Sequence, residues 1–334
     1  MQSKNKKRNR AFTLIELLVV IAIIALLVGI LMPALAQARR SAKTLKCSTQ
    51  VRSVMQAMMV FANSNRDSYP LPSNLDKTGT TVAGSTLADN EKKNNLGNVL
   101  SILIFNNGIS SELCVSPAEV SGVVKVCDTY ASASPAQADV AGGNRATALW
   151  DPGFAGTPVQ QEPAYRHTPG ISNNSYASIV FFGARRQKWT NTFSATEPVF
   201  GNRGPVYNGA DGNDRATWAP SGQNGWRLAN GANGTDSNTL LIHGGRSSWE
   251  GNIGYNDGHV NTETRADPLE ITYKRTGNQA TNAVVPDNIF VDETDDATGG
   301  TANDPLMRQN VYLRPIGNVS NFTPAAVAAT LWKD

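Results

Sequence analysis

The sequence predicts an α+β protein: a long N-terminal helix, transmembrane in its first half and amphipathic in its second, packed on an antiparallel β-sheet head with long loops. Three observations predict it. Residues 17–35 form an uncharged apolar run, and residues 51–62 repeat apolar side chains at three- and four-residue steps. The remainder sets short strand-like pieces between Gly-, Asn- and Pro-rich segments. The chain of 334 residues then divides into a basic leader (1–11), a transmembrane helix (12–35), an amphipathic helix continuing into the head (36–66) and a β-rich extracytoplasmic head (67–334).

The leader holds Lys4, Lys6, Lys7, Arg8 and Arg10 and no acid, so its removal takes the formal charge from +3 to −2. A slightly acidic remainder without a long Lys/Arg block after Lys46 argues against nucleic acid as a partner of the head. The apolar run is long enough to cross a hydrocarbon core as a helix. The basic cluster before it should stay cytoplasmic, which places the head outside an inner membrane crossed once. A secretory signal peptide has a shorter apolar core and a small-residue cleavage site. Here the run reaches Pro33 and continues as "ALAQARRSAKTL", so a cut after Ala-Leu-Ala-Gln is the alternative.

Glu16 discriminates between these readings. A carboxylate at the edge of a bilayer core is costly and persists when it has a partner. The first basic residue after it is Arg39, far beyond two helical turns. An α-amine created by cutting before Phe12, on this subunit or a neighbour, would supply the missing cation; the other reading is an ordinary anchor with an accidental glutamate.

The stretch "AFTLIELLVVIAIIALLVGILMPAL" resembles the N-terminus of type IV prepilins and type II secretion pseudopilins. The resemblance implies cleavage between Ala11 and Phe12 by prepilin peptidase, N-methylation of Phe12, and Glu16 registering each incoming subunit on its neighbour. It implies homo- or hetero-oligomers with other pilins in a type II secretion pseudopilus or type IV-like pilus. Pro33 matches a common pilin proline that lets the helix bend or locally melt. The leader ends in Ala11 where these leaders usually end in Gly, which implies slower processing.

After the span, Val51, Val54, Met55, Met58 and Phe61 or Ala62 make one apolar stripe that a sheet should cover, or that a partner helix would use. The pattern dissolves at residues 63–68, ahead of Tyr69-Pro70, so the helix is expected from near Phe12 to Asn65. In the head, "NVLSILIF" (in part helical), "GVVKVCDTY", "YASIVFFGA", "TLLIH", "NIGYN", "HVNTE" and "NVYLRPI" read as strands. Residues 140–165 and 202–235 read as long surface loops. Asp257-Gly258, flanked by alternating residues, predicts a type I′ hairpin turn. His243, Asp257 and Gly258 also resemble the closing motif of large-headed prepilin-like proteins, although the 13 residues between His243 and Asp257 exceed that family's usual spacing. "KCSTQVRSVMQAMMVFANSNRDSYP" is similar to their Cys-containing helix, and "LCVSP" to their Cys-Pro-Ser segment with its order altered. That family's head has no settled activity to carry over.

Motifs for an enzyme are missing: there is no Gly-x-Ser-x-Gly elbow, Walker loop or His-Glu-x-x-His, and only three histidines. The expectation is a non-enzyme. His243, His259 and Asp257 are the residues a hairpin would bring together as a metal or acid/base set, against the plainer reading of turn and strand surface. Calcium is the candidate cofactor. Asp292, Glu293, Asp295, Asp296 and Asp304 form an oxygen-rich loop, as do Asp211, Asn213 and Asp214, though neither fits EF-hand spacing. Major pseudopilins similarly hold a calcium in a C-terminal loop. In an oxidising compartment Cys47, Cys114 and Cys127 leave one odd thiol: Cys114–Cys127, Cys47–Cys114 and three buried free thiols all remain open. A second functional class is a membrane-tethered polymer-binding or hydrolytic domain, for which Trp150, Trp189, Trp218, Trp226 and Trp249 would supply stacking surfaces.

Overall fold

The computed structural model describes residues 13–82, 90–138, 144–159, 166–208, 226–274, 284–292, 310–323 and 326–333. Two compact units divide the chain, residues 1–43 and 44–334. Helix α1 spans Leu14–Asn63 without a break at Pro33. Its part from Thr44 onward belongs to the larger unit and contributes one face of that unit's core.

On this part the buried residues are Cys47, Gln50, Val51, Val54, Met55, Ala57, Met58 and Ala62, the three-and-four spacing of one helical face. They lie on a five-stranded antiparallel sheet whose strands run, in spatial order, Val260–Glu263, Gly251–Tyr255, Pro198–Asn202, Tyr176–Ile179 and Leu313–Arg314. The strands are β1 (Tyr176–Ile179), β2 (Pro198–Asn202), β5 (Gly251–Tyr255), β6 (Val260–Glu263) and β9 (Leu313–Arg314). Close approach is permitted by Gly254 on β5, where a Cβ would stand 2.7 Å from Met55 Cγ and 3.2 Å from Val51 Cγ1. Polar pins fix the register: Tyr176 on β1 donates its hydroxyl to Gln50 Oε1 at 3.0 Å, and Asn202 on β2 donates to Cys47 Sγ at 3.4 Å. At the end of α1, Tyr69 packs edge-on against Trp189, and its hydroxyl donates to Asn256 beside the β5–β6 turn.

Around this core stand the short helices α2 (Pro72–Leu75), α3 (Leu96–Phe105) and α4 (Thr239–Ile242). Three two-stranded ladders complete it: β3–β4 (Tyr207–Asn208 with Arg227–Leu228), β7–β8 (Thr272–Lys274 with Val284–Pro286) and β10–β11 (Ile316–Thr323 with Ala326–Leu331). The fold class is α+β, as the sequence predicts.

Several elements differ from the sequence reading. "NVLSILIF" is wholly helical: Asn95 caps α3 by accepting from Asn98 N–H at 2.8 Å, and the helix is buried nearly all round, which erases its polar face. "TLLIH" forms one helical turn, not a strand. "GVVKVCDTY" forms no strand: its ladder pairing is limited to one parallel bridge, Val124 with Ser172, and side chains hold the rest, as where Ser111 donates to the Cys127 carbonyl and Asn173 to the Lys125 carbonyl; Val123 and Val126 stay exposed. Of the two expected surface loops, the first is buried over its described residues 150–157, and the second is buried at 202–205, carries the β3–β4 ladder and is largely exposed over 227–235; Trp150, Asp151, Phe154, Thr157 and Arg203 are at most 2% exposed. Their backbone groups are satisfied by side chains, as where Gly153 N–H reaches Asp151 Oδ1 at 2.9 Å. The β5–β6 hairpin is present, but Gly258 alone has a positive φ (+86°), and its N–H bonds the Tyr255 carbonyl at 2.9 Å. A type I′ turn needs positive φ at both central residues, so this is a three-residue loop with glycine in the left-handed position.

Candidate functional site: the start of the long helix

Every described residue from 13 to 43 is exposed, including the leucines, isoleucines and valines between Leu14 and Leu35. An uninterrupted apolar surface of this length is foreign to water-facing helices and matches the hydrocarbon span.

Glu16 sits on the first turn of this helix. Its Oε2 accepts the Thr13 backbone N–H at 2.9 Å and the Thr13 hydroxyl at 2.8 Å, while the Glu16 N–H donates to Thr13 Oγ1 at 3.3 Å. This reciprocal arrangement is a capping box, with Thr13 as N-cap and Glu16 three residues on. The carboxylate also lies where the helix dipole favours negative charge. Sequence reasoning looked for Glu16's partner among cations and missed Thr13, although Thr-x-x-Glu ahead of an apolar run is the written signal. Ala11 and Phe12, the expected cleavage pair, lie outside the described residues. Pro33 stands within the helix, well beyond its first turn.

Residues 6–32 match the family model of the prokaryotic N-terminal methylation motif. The chain carries a prepilin-type N-terminal signal. The motif spans Ala11, Phe12, Thr13 and Glu16 and ends just before Pro33. A prepilin-type precursor with one long apolar helix is thereby supported as membrane-anchored. No curated protein and no solved structure matches the chain.

The other sequence-predicted residues take up places in the head. His243 is buried, with Nδ1 3.1 Å from Thr44 Oγ1 and Nε2 3.5 Å from Asn252 Nδ2, so it fastens the end of α4 to the helix and to β5. Asp257 and His259 pair at the hairpin tip, where the His259 ring stacks on Tyr255. Burial nudges the Asp257 carboxyl up, but the N–H, ring and charge of His259 outweigh it and hold it below the usual carboxylate value. Among the described residues no three His, Cys, Asp or Glu side chains cluster as a metal site, so His243, Asp257 and His259 do not form one.

Asp292 accepts from Arg185 Nη2 at 2.5 Å, so the described acid of the presumed calcium loop already has a cationic partner. Glu293, Asp295, Asp296 and Asp304, like Asp211, Asn213 and Asp214, lie outside the described residues. The three cysteines are free and buried. Burial pushes the Cys114 thiol far up, with Cys127 nearby adding to it, and raises Cys127 as well. Of the tryptophans, Trp150, Trp189 and Trp249 are core residues whose indole N–H groups donate to Asn98 Oδ1, Pro70 O and Arg203 O. Trp226 is half-buried and Trp218 is outside the described residues.

Proposed function

We propose that this chain is a structural subunit of a pilus-like filament. In this reading prepilin peptidase cuts between Ala11 and Phe12, and the new Phe12 amine is methylated. The apolar Leu14–Leu35 helix then packs among the corresponding helices of other pilins through heterologous contacts, in a type II secretion pseudopilus or a type IV-like pilus. Before assembly the helix anchors the subunit in the cytoplasmic membrane with the head outside. Head-to-tail contacts between different faces of successive subunits build open helical assemblies. The reading assigns the head no catalytic residue, no required cofactor and no nucleic-acid partner.

One observation carries the proposal: a single carboxylate, Glu16, at the start of a fully exposed apolar helix inside a methylation motif. Such a group favours an interaction with another charged group at the same depth, and the Phe12 amine created by cleavage is that group. The polymer-binding alternative relied on exposed tryptophans, and Trp150, Trp189 and Trp249 are in the core, unavailable for stacking on a ligand. The test is Glu16→Ala in the full chain, followed by the amount of subunit in sheared filaments and by head folding. The proposal expects filaments to be lost while the head stays folded and Phe12 is still exposed by the peptidase. Filaments at the wild-type level would refute it.

A further inference from the structure

The assembly reading accounts for Glu16 only after cleavage, when the Phe12 amine exists. The leader-bearing chain holds the same carboxylate at the head of an apolar span without that amine. We propose that Thr13 is the positioning residue for Glu16 in the uncleaved chain, holding its carboxylate within the same subunit until the Phe12 amine takes it over. The first step stands on the geometry at Thr13, and the handover rests on the assembly reading above.

The Thr13 hydroxyl has two simultaneous roles. It donates to Glu16 Oε2 at 2.8 Å and accepts the Glu16 N–H at 3.3 Å, while the Thr13 backbone N–H adds a second bond to the same Oε2 at 2.9 Å. One side chain thereby satisfies a backbone donor that the helix leaves open and half of a carboxylate facing an apolar environment. The helix starts at Leu14, so the ladder of backbone bonds begins behind the bond to be cut between residues 11 and 12. All the contacts fall on Oε2, and Oε1 has no partner among the described residues. A cation that bonds Oε1 displaces neither donor of Thr13, because both converge on Oε2. An ammonium adds a charge–charge attraction to its bond with the carboxylate, which neither neutral donor of Thr13 supplies, and this gives the handover its direction. No proton or covalent bond needs to move in this exchange beyond the peptide cleavage itself.

Serine keeps the hydroxyl, whereas valine keeps the β-branched shape and loses both hydroxyl bonds. The test compares Thr13→Ser and Thr13→Val in the full leader-bearing chain, kept uncut by withholding the peptidase. One readout is the ratio of inserted to uninserted chain in liposomes, and the other is amide hydrogen exchange at Glu16. The expected result is wild-type behaviour for Thr13→Ser, and for Thr13→Val an insertion ratio lower by about fivefold and exchange faster by about fivefold, the size of a lost cap. After cleavage, Thr13→Val should assemble as the wild type does, because the Phe12 amine then holds Glu16. Wild-type insertion and exchange in Thr13→Val would overturn the proposal, and so would a Thr13→Ser chain that fails like valine. If the uncut Thr13→Val chain shows the defect while the wild-type chain, once cut at Phe12, never forms filaments, the pairing within the uncut chain stands and the handover falls with the assembly reading.

Discussion

The seat of α1 on the sheet depends on Gly254, and substituting it gives a quantitative test of the packing. An alanine Cβ at Gly254 would stand 2.7 Å from Met55 Cγ, 3.3 Å from Met55 Sδ and 3.2 Å from Val51 Cγ1. Met55 is fully buried and flexible, while Val51 is stiff at χ1, so the Met55 side chain must give way from its Cγ outward. Overpacking of this kind costs about 1–3 kcal/mol, and a clash at Cγ, near the backbone of Met55, places Gly254→Ala at ~2–3 kcal/mol. Met55→Ala leaves a cavity and costs about 2–5 kcal/mol. Made together, the two changes partly cancel, since the new methyl enters space that the methionine vacates. The double variant should be more stable than the sum of the singles by about 1–2 kcal/mol. The assay is urea unfolding of the full chain in detergent, followed by the fluorescence of buried Trp150, Trp189 and Trp249. Additivity within about 0.5 kcal/mol would show that residues 254 and 55 do not meet, and would refute the seating of the helix on β5.

Two further outcomes follow from buried titratable groups. Burial pushes the Asp76 carboxyl up, but bonds from the Val82 N–H, Lys93 and Thr80, together with the Lys93 charge, outweigh it and leave it below the ordinary value. A depressed folded value means stability that is present above the unfolded value of about 4 and is lost as pH falls through the lower, folded one. Asp76→Asn should flatten that acid limb of a pH–stability profile, and an unchanged limb would contradict the role given to Asp76. The raised Cys114 and Cys127 thiols should resist iodoacetamide at pH 8 in the native chain, with all three cysteines reacting after denaturation without reductant. Only one reactive thiol after denaturation would instead reveal a disulfide.

The parts of the fold with a strong local signature were legible in the sequence. The stripe from Val51 to Ala62 is buried where its spacing places it, and β5–β6 forms around Asp257-Gly258. Runs whose patterning is ambiguous were not legible. "NVLSILIF" and "TLLIH" are short and mostly apolar, without a clear period of two or of 3.6, a pattern common to buried strands and buried helices. The valines of "GVVKVCDTY" have strand propensity but no neighbouring strand to pair with over their length. The β10–β11 ladder was missed because its second strand, Ala326–Leu331, is rich in alanine, a residue depleted in strands. At the candidate site, Glu16 stood out as a charge in an apolar run, whereas Thr13 did not, because its role appears only when the carboxylate turns back onto the N-terminal end of its own helix.

The central claim is a processed filament subunit, and intact mass with N-terminal sequencing of the membrane-extracted protein tests it most directly. The account predicts a chain that begins at Phe12 and carries one N-methyl group. A chain that begins at Met1, or one that begins after the apolar helix, would contradict it.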